Sequence, residues 1–129
     1  MPTDHPYVEA NLTMAFACDE ALPAIGALNV PVQAYLKGMC EAASELRREA
    51  LDDLRAGDTE RAERLLATMD DVYSVLVTID YPDALTGGLR RSTDALRAVL
   101  ERTRADVTTT VVANRLQASV ERATRATEA

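Results

Sequence analysis

The chain has 129 residues with 14 basic and 21 acidic side chains, a net charge of −7 at pH 7, one histidine, two cysteines and 4% aromatic residues. This length fits one domain, and a composition of 47% hydrophobic and 27% charged residues excludes intrinsic disorder. The longest uncharged run, residues 21–36, contains prolines and a glycine and is too short to span a membrane. Because residues 1–6 also lack the features of a secretion signal, we expect a cytoplasmic protein without membrane contact.

The helical elements are visible as apolar residues at steps of three and four. The first predicted helix covers residues 7–22. A second helix opens at residues 29–31, with Pro31 in its first turn, and ends at Ala56. Gly57 and Asp58 have the residue types of a helix C-terminus followed by an N-cap, so they predict a tight turn into a third helix that runs to about Asp80.

The carboxy-terminal third of the chain predicts an unusually long helix. Tyr81 and Pro82 interrupt the pattern, and the apolar spacing then continues from Leu85 to Asn114 without a further proline, which allows a helix of 35 to 40 residues. The β-branched residues 107–112 are flanked by helix-forming residues, so we expect a helical turn there and not a strand. The predicted fold class is all-α, an antiparallel helical bundle that forms a single domain over residues 1–129.

Cysteine and histidine chemistry is limited by the small number of these residues. Cys18 and Cys40 are 22 positions apart without a neighbouring histidine, which predicts two reduced, half-buried thiols and no zinc site. The single histidine, His5, leaves no histidine-based catalytic arrangement. The remaining groups for chemistry are carboxylates and arginines.

Two carboxylates share one predicted helix face. Glu41 and Glu45 lie one turn apart, opposite the apolar stripe, in a polar row with Lys37, Arg48 and Asp52. Such a pair suits Mg²⁺, which binds one or two carboxylates and retains waters. The alternative is a solvated helix face with an intrahelical Glu45–Arg48 pair.

The arginines occur in two adjacent pairs. Arg47 with Arg48, and Arg90 with Arg91, offer bidentate groups for phosphate. Acidic residues interleave with the arginines that follow Arg91, so a salt-bridged exposed face is the alternative. The net charge of −7 argues against attraction of the whole molecule to nucleic acid, and any such role needs local arginine clusters.

Residues 34–48, AYLKGMCEAASELRR, follow the pattern YLxG…(D/E)…GELxR. This segment resembles the translin family, which includes archaeal members. The resemblance continues through LRAGDTERAERLL at residues 54–66, DYPDALTGGLRR at residues 80–91 and ERTR at residues 101–104. Residues 7–10, YVEA, resemble the family's (Q/E)EYVEA helix.

The resemblance implies an all-α fold, a closed oligomer and binding of single-stranded RNA or DNA. In the translin-associated branch it further implies Mg²⁺-dependent ribonuclease activity, with the family's acidic residues falling on Glu9, Glu41 and Glu45. Two positions depart from the pattern, because Pro6 replaces the first glutamate of EYVEA and Glu41 replaces a common aspartate. The family begins with further helices, so the chain resembles its carboxy-terminal part.

Three functions follow as hypotheses. The first is a translin-family subunit that binds single-stranded RNA or DNA in a homo-oligomer, or in a hetero-oligomer with a longer family member, with Arg47, Arg48, Arg90 and Arg91 on phosphates. The second is a Mg²⁺-dependent endoribonuclease in which Glu9, Glu41 and Glu45 hold the metal and catalyse. The third is an inactive helical assembly partner.

Overall fold

The computed structural model describes residues 32–79 and 88–128, which form three α-helices. Helix α1 covers Val32–Ala56, α2 covers Thr59–Leu76 and α3 covers Leu89–Glu128. These two ranges contain no strand, so the all-α prediction is confirmed. The predicted helix over residues 7–22 lies outside the described residues, and the extent of the domain over residues 1–129 stays a prediction.

The turn between α1 and α2 is fixed by backbone hydrogen bonds of a helix-ending motif. Gly57 has φ +87°, its N–H donates to the Leu54 carbonyl at 3.1 Å, and the Asp58 N–H donates to the Asp53 carbonyl at 2.8 Å. The Asp58 carboxylate then accepts from the Arg61 N–H at 3.0 Å and caps α2. The predicted turn is confirmed.

The three helices pack pairwise around one hydrophobic core. Cys40 lies beside Thr93, and Arg47 beside Thr103, so α1 and α3 run in the same direction. Helix α2 runs antiparallel to α1 because only a short turn joins them. Four alanines of the core are completely buried, and their small side chains leave room for close packing of the helices. The fully buried alanines of the core are Ala42, Ala43, Ala50 and Ala62.

Two predicted boundaries differ from the structure. Helix α2 ends at Leu76, not near Asp80, because the Thr78 and Ile79 N–H groups bond three residues back and the Thr78 hydroxyl donates to the Val75 carbonyl at 2.6 Å. Helix α3 begins at Leu89 because Gly88, at φ +85°, turns the chain and its carbonyl accepts the first helical bonds. Tyr81 and Pro82 lie outside the described residues.

Helix α3 is 40 residues long, as the sequence predicted, and residues 107–112 are helical. Its last buried residue is Val107. Arg47 contacts α3 at Thr103 and Asp106, so the end of α1 at Ala56 lies level with about residue 113. Residues 113–128, here called the distal arm, therefore extend about 24 Å past the α1–α2 turn.

Among the described residues, no helix combines the length and apolar character needed to cross a membrane.

Cys40 is 2% exposed and not half-buried as predicted, because α1 places it against α3 with its sulfur 4.0 Å from the Thr93 hydroxyl. Burial raises the pKa of the Cys40 thiol to about 11, with the Glu41 carboxylate adding to the rise and the Thr93 contact opposing it. Cys18 lies outside the described residues.

Candidate nucleic-acid interface

The acidic row predicted on α1 points away from the core. Glu41 and Glu45 are both exposed, and Arg48, Asp52 and Arg55 continue their row along the helix. Part of this face forms a shallow groove lined by Glu45, Asp52 and three arginines, Arg47, Arg48 and Arg55, and Glu41 lies outside it. The predicted geometry of the two glutamates is therefore confirmed, whereas the alternative Glu45–Arg48 ion pair does not occur between these two described residues.

The structure brings together only part of the predicted metal site. Glu9 lies outside the described residues. Within the two described ranges, no group of three or more acidic, cysteine or histidine side chains is arranged to hold a metal ion. Glu41 and Glu45 alone supply oxygen donors one turn apart, which meets the minimum of one or two carboxylates that Mg²⁺ uses. Their assignment as metal ligands and catalytic groups stays a prediction.

The four arginines predicted to bind phosphate lie in two different environments. Arg47 is one-quarter exposed; it pairs with the Asp106 carboxylate at 2.8 Å and donates to the Thr103 hydroxyl at 3.2 Å. In contrast, Arg48, Arg90 and Arg91 are exposed and have neither an ion pair nor a side-chain hydrogen bond within the described part of the chain. Arg47 therefore joins two helices, whereas the other three guanidinium groups are available to a ligand.

The two arginine pairs are not adjacent in space. Because Arg47 lies level with Thr103, it is about 13 residues along the α3 axis from Arg90, or about 20 Å. Arg90 and Arg91 lie in the first turn of α3, where the positive end of the helix dipole adds to their charge. A ligand that contacts both pairs must therefore be extended, as a polynucleotide is.

Basic charge is concentrated on α3 in a chain that is acidic overall. This helix carries eight arginines and five acidic residues, for a net charge of +3, whereas residues 1–31 and 80–87 contain six acidic residues and no lysine or arginine. The total of −7 therefore conceals a positive helix. Most arginines of α3 have no ion pair with a described acidic residue. The exception is Arg104, which pairs with Asp70 of α2 at 3.3 Å and with Glu101 at 3.7 Å.

Other ion pairs are structural and were not predicted. Arg61 bridges back to α1, with its guanidinium 2.8 Å from the Asp53 carboxylate and 3.4 Å from Glu49. These carboxylates raise the Arg61 pKa further, mainly through the hydrogen bond to Asp53. Periodicity places such residues on a helix face but does not identify partners on another helix, so no sequence signal could have identified these pairs.

Comparisons with known proteins give the following relationships. No family model matches the chain. An uncharacterized protein of Methanocaldococcus jannaschii is 31% identical over 104 residues, which are 80% of this chain and 46% of that protein. The C3PO of Archaeoglobus fulgidus, a translin-family protein, is 34% identical with a TM-score of 0.76, over 85% of this chain and 58% of that chain.

The C3PO structures include a complex with duplex RNA. The match, at this identity and over most of the chain, confirms the resemblance to the translin family that the sequence motifs indicated. The chain spans about half the length of the relatives it matches, so the resemblance is to part of those proteins.

Proposed function

We propose that this translin-like chain is a subunit of an oligomeric assembly that binds RNA or single-stranded DNA. The observation that supports it best is the net charge of +3 on α3, with Arg90 and Arg91 exposed at its amino-terminal end. The likeness to a chain solved in complex with duplex RNA favours RNA and makes a duplex a ligand to be tested beside single strands. The assembly, formed from copies of this chain or with a longer family member, is cytoplasmic.

The chemistry of binding follows from the unpaired arginines. A guanidinium offers two parallel N–H groups to a phosphate, and a group without an acidic partner does not lose an ion pair when it binds. We assign Arg48, Arg90 and Arg91 as the principal phosphate contacts. Arg47 contributes less, because a phosphate would compete with Asp106 for it.

Fluorescence anisotropy with labelled 20-nucleotide RNA, the matching RNA duplex and single-stranded DNA, at several salt concentrations, tests this function. Replacing both Arg90 and Arg91 with glutamine should weaken RNA binding about tenfold and lower the slope of log Kd against log salt by about 1.4 for single strands. The control is the Arg122→Gln and Arg125→Gln double variant, which makes the same charge change on the distal arm. No salt-dependent binding by the parent protein, or equal loss in both double variants, would contradict the assignment.

A second candidate function is Mg²⁺-dependent RNA hydrolysis, supported by the exposure of Glu41 and Glu45 on one face. When bound there, Mg²⁺ would supply a polarised water and neutralise charge on the phosphate. The two carboxylates would bind and orient the metal, with Glu9 as the third predicted ligand. This role needs a further acidic donor, because the described residues bring together fewer than three ligands.

Cleavage of a labelled RNA with and without Mg²⁺ tests the enzyme. Glu41→Gln and Glu45→Gln should each abolish Mg²⁺-dependent cleavage, whereas Glu63→Gln, an exposed carboxylate on α2, should leave it unchanged. If cleavage persists in both site variants, the two glutamates are not the metal ligands. A protein that neither binds nor cleaves RNA, and whose mass in solution does not change with RNA, is the inactive assembly partner.

A further inference from the structure

The groove on the outer face of α1 separates basic from acidic side chains. Asp53 marks the side of α1 that borders α2, because it pairs with Arg61 at 2.8 Å. Arg47 marks the side that borders α3, because it pairs with Asp106 at 2.8 Å. At about 100° per residue, the carboxylates of the groove between these two sides lie nearer to α2, whereas its two exposed arginines lie nearer to α3. These carboxylates are Glu45 and Asp52, and these arginines are Arg48 and Arg55.

Helix α3 adds a further arginine to the same side of the molecule. Arg102 lies one helical turn before Asp106, so both lie on the edge of α3 that borders α1. Arg102 is exposed and has neither an ion pair nor a side-chain hydrogen bond within the two described ranges. Arg104, in contrast, pairs with Asp70 and lies on the edge that borders α2. The surface between α1 and α3, here called the basic seam, carries Arg47, Arg48, Arg55 and Arg102.

The basic seam continues the positive charge at the start of α3. Arg91 and Arg102 are three helical turns apart on one face, which is about 16 Å along the axis. Since Arg47 lies level with Thr103, Arg55 lies level with about residue 112, so the arginines follow a path of about 30 Å. Positive groups repeated along such a path complement the repeated charges of a polynucleotide backbone. Helix α2, on the other side, carries four acidic residues and two arginines and would repel it.

We propose that a bound RNA strand lies along the basic seam, and that Arg55 and Arg102 bind its phosphates beside Arg48. The inference rests on the proposed function and adds the path of the strand, which follows the border of α1 and α3 and not that of α2 and α3. Arg55 and Arg102 lose no ion pair with a described acid when a phosphate binds. Asp106 opposes binding, because its carboxylate repels phosphate and holds the Arg47 guanidinium.

Fluorescence anisotropy of the full chain with labelled single-stranded RNA, at several salt concentrations, tests the path. Arg55→Gln and Arg102→Gln should each weaken binding about threefold and lower the slope of log Kd against log salt by about 0.7. Arg102→Lys keeps the charge and should restore the slope. Arg64→Gln makes the same charge change at an exposed position of α2 and should alter Kd less than about 1.5-fold, because salt screens a distant charge. All four variants should keep the parent circular dichroism spectrum.

A gain of affinity gives a second readout, which a misfolded variant would not produce. Asp106→Asn removes the carboxylate from the basic seam and releases Arg47, so it should tighten RNA binding about threefold and raise the slope by about 0.7. Asp71→Asn, at an exposed position of α2, should leave binding unchanged.

The outcomes separate the path from the function. If the parent binds RNA in a salt-dependent way but Arg55→Gln and Arg102→Gln behave like Arg64→Gln, the strand does not follow the basic seam, and the proposed function stands. Unchanged or weaker binding by Asp106→Asn would likewise overturn the path alone. A parent chain without salt-dependent RNA binding would overturn both.

Discussion

Replacing Arg47 with methionine is expected to lower the free energy of unfolding by about 1–2 kcal/mol. The side chain is one-quarter exposed and Asp106 nearly half exposed, so their ion pair contributes about 0.5–1 kcal/mol. The hydrogen bond to the Thr103 hydroxyl adds a similar amount, as expected for a charged donor in a partly buried site. Methionine retains the apolar stem, and Thr103 still donates to the Val99 carbonyl, so no buried group loses its last partner.

A double-mutant cycle isolates the ion pair from the other effects. Urea unfolding at 25 °C, followed by circular dichroism, should give a coupling energy of about 0.5–1 kcal/mol between Arg47→Met and Asp106→Asn in low salt. The coupling should fall in 0.5 M salt because half-exposed charges are screened. Arg48→Met is the matched control; since Arg48 is exposed and has no described partner, its effect should stay below about 0.5 kcal/mol. A coupling energy of zero in low salt would refute the view that Arg47 joins α1 to α3.

Three further changes probe the core, the turn and the buried thiol. Leu100→Ala should lower the free energy of unfolding by about 3 kcal/mol because Leu100 is 1% exposed. Leu116→Ala should lower it by less than about 0.5 kcal/mol in dilute monomer because Leu116 is 65% exposed. Equal losses in urea unfolding would contradict the assigned burial. Gly57→Ala should cost about 1 kcal/mol from backbone strain alone, since nothing lies within 4 Å of an added Cβ, and Gly57→Asn should cost less. Burial raises the pKa of Cys40 to about 11, so the folded state disfavours the thiolate. The free energy of unfolding should therefore hold below about pH 9 and fall as pH rises toward 11. This fall should be less steep in Cys40→Ala.

The α1–α2 hairpin was predictable because its determinants are local. Apolar spacing defines the two helix faces, and Gly57 and Asp58 have the residue types that a helix end and a helix start require. The apolar pattern continues to Ile79 and therefore predicts an end of α2 near Asp80, four residues later than the observed end at Leu76. In the structure the helix ends at Leu76, and the Thr78 hydroxyl competes for the Val75 carbonyl just beyond that end.

The candidate interface was only partly predictable. Helical spacing placed Glu41, Glu45 and Arg48 in one exposed row, as the structure has them. It did not separate Arg47 from Arg48, because the partner of Arg47 is Asp106, 59 residues later on another helix. The exposed apolar residues Leu116 and Val120 of the distal arm were also not predicted, because the core-facing apolar pattern of α3 does not extend beyond Asn114.

The continuity of α3 makes amide hydrogen exchange on one helix a measure of two equilibria. Amides near Leu96 and Leu100 lie in the packed part of α3 and should exchange only through global unfolding. Those near Leu116 belong to a single helix in solvent and should exchange through local fraying, orders of magnitude faster in a monomer. Because no break separates the two parts, any contact that orders the distal arm extends protection from the folded core along an uninterrupted hydrogen-bond ladder.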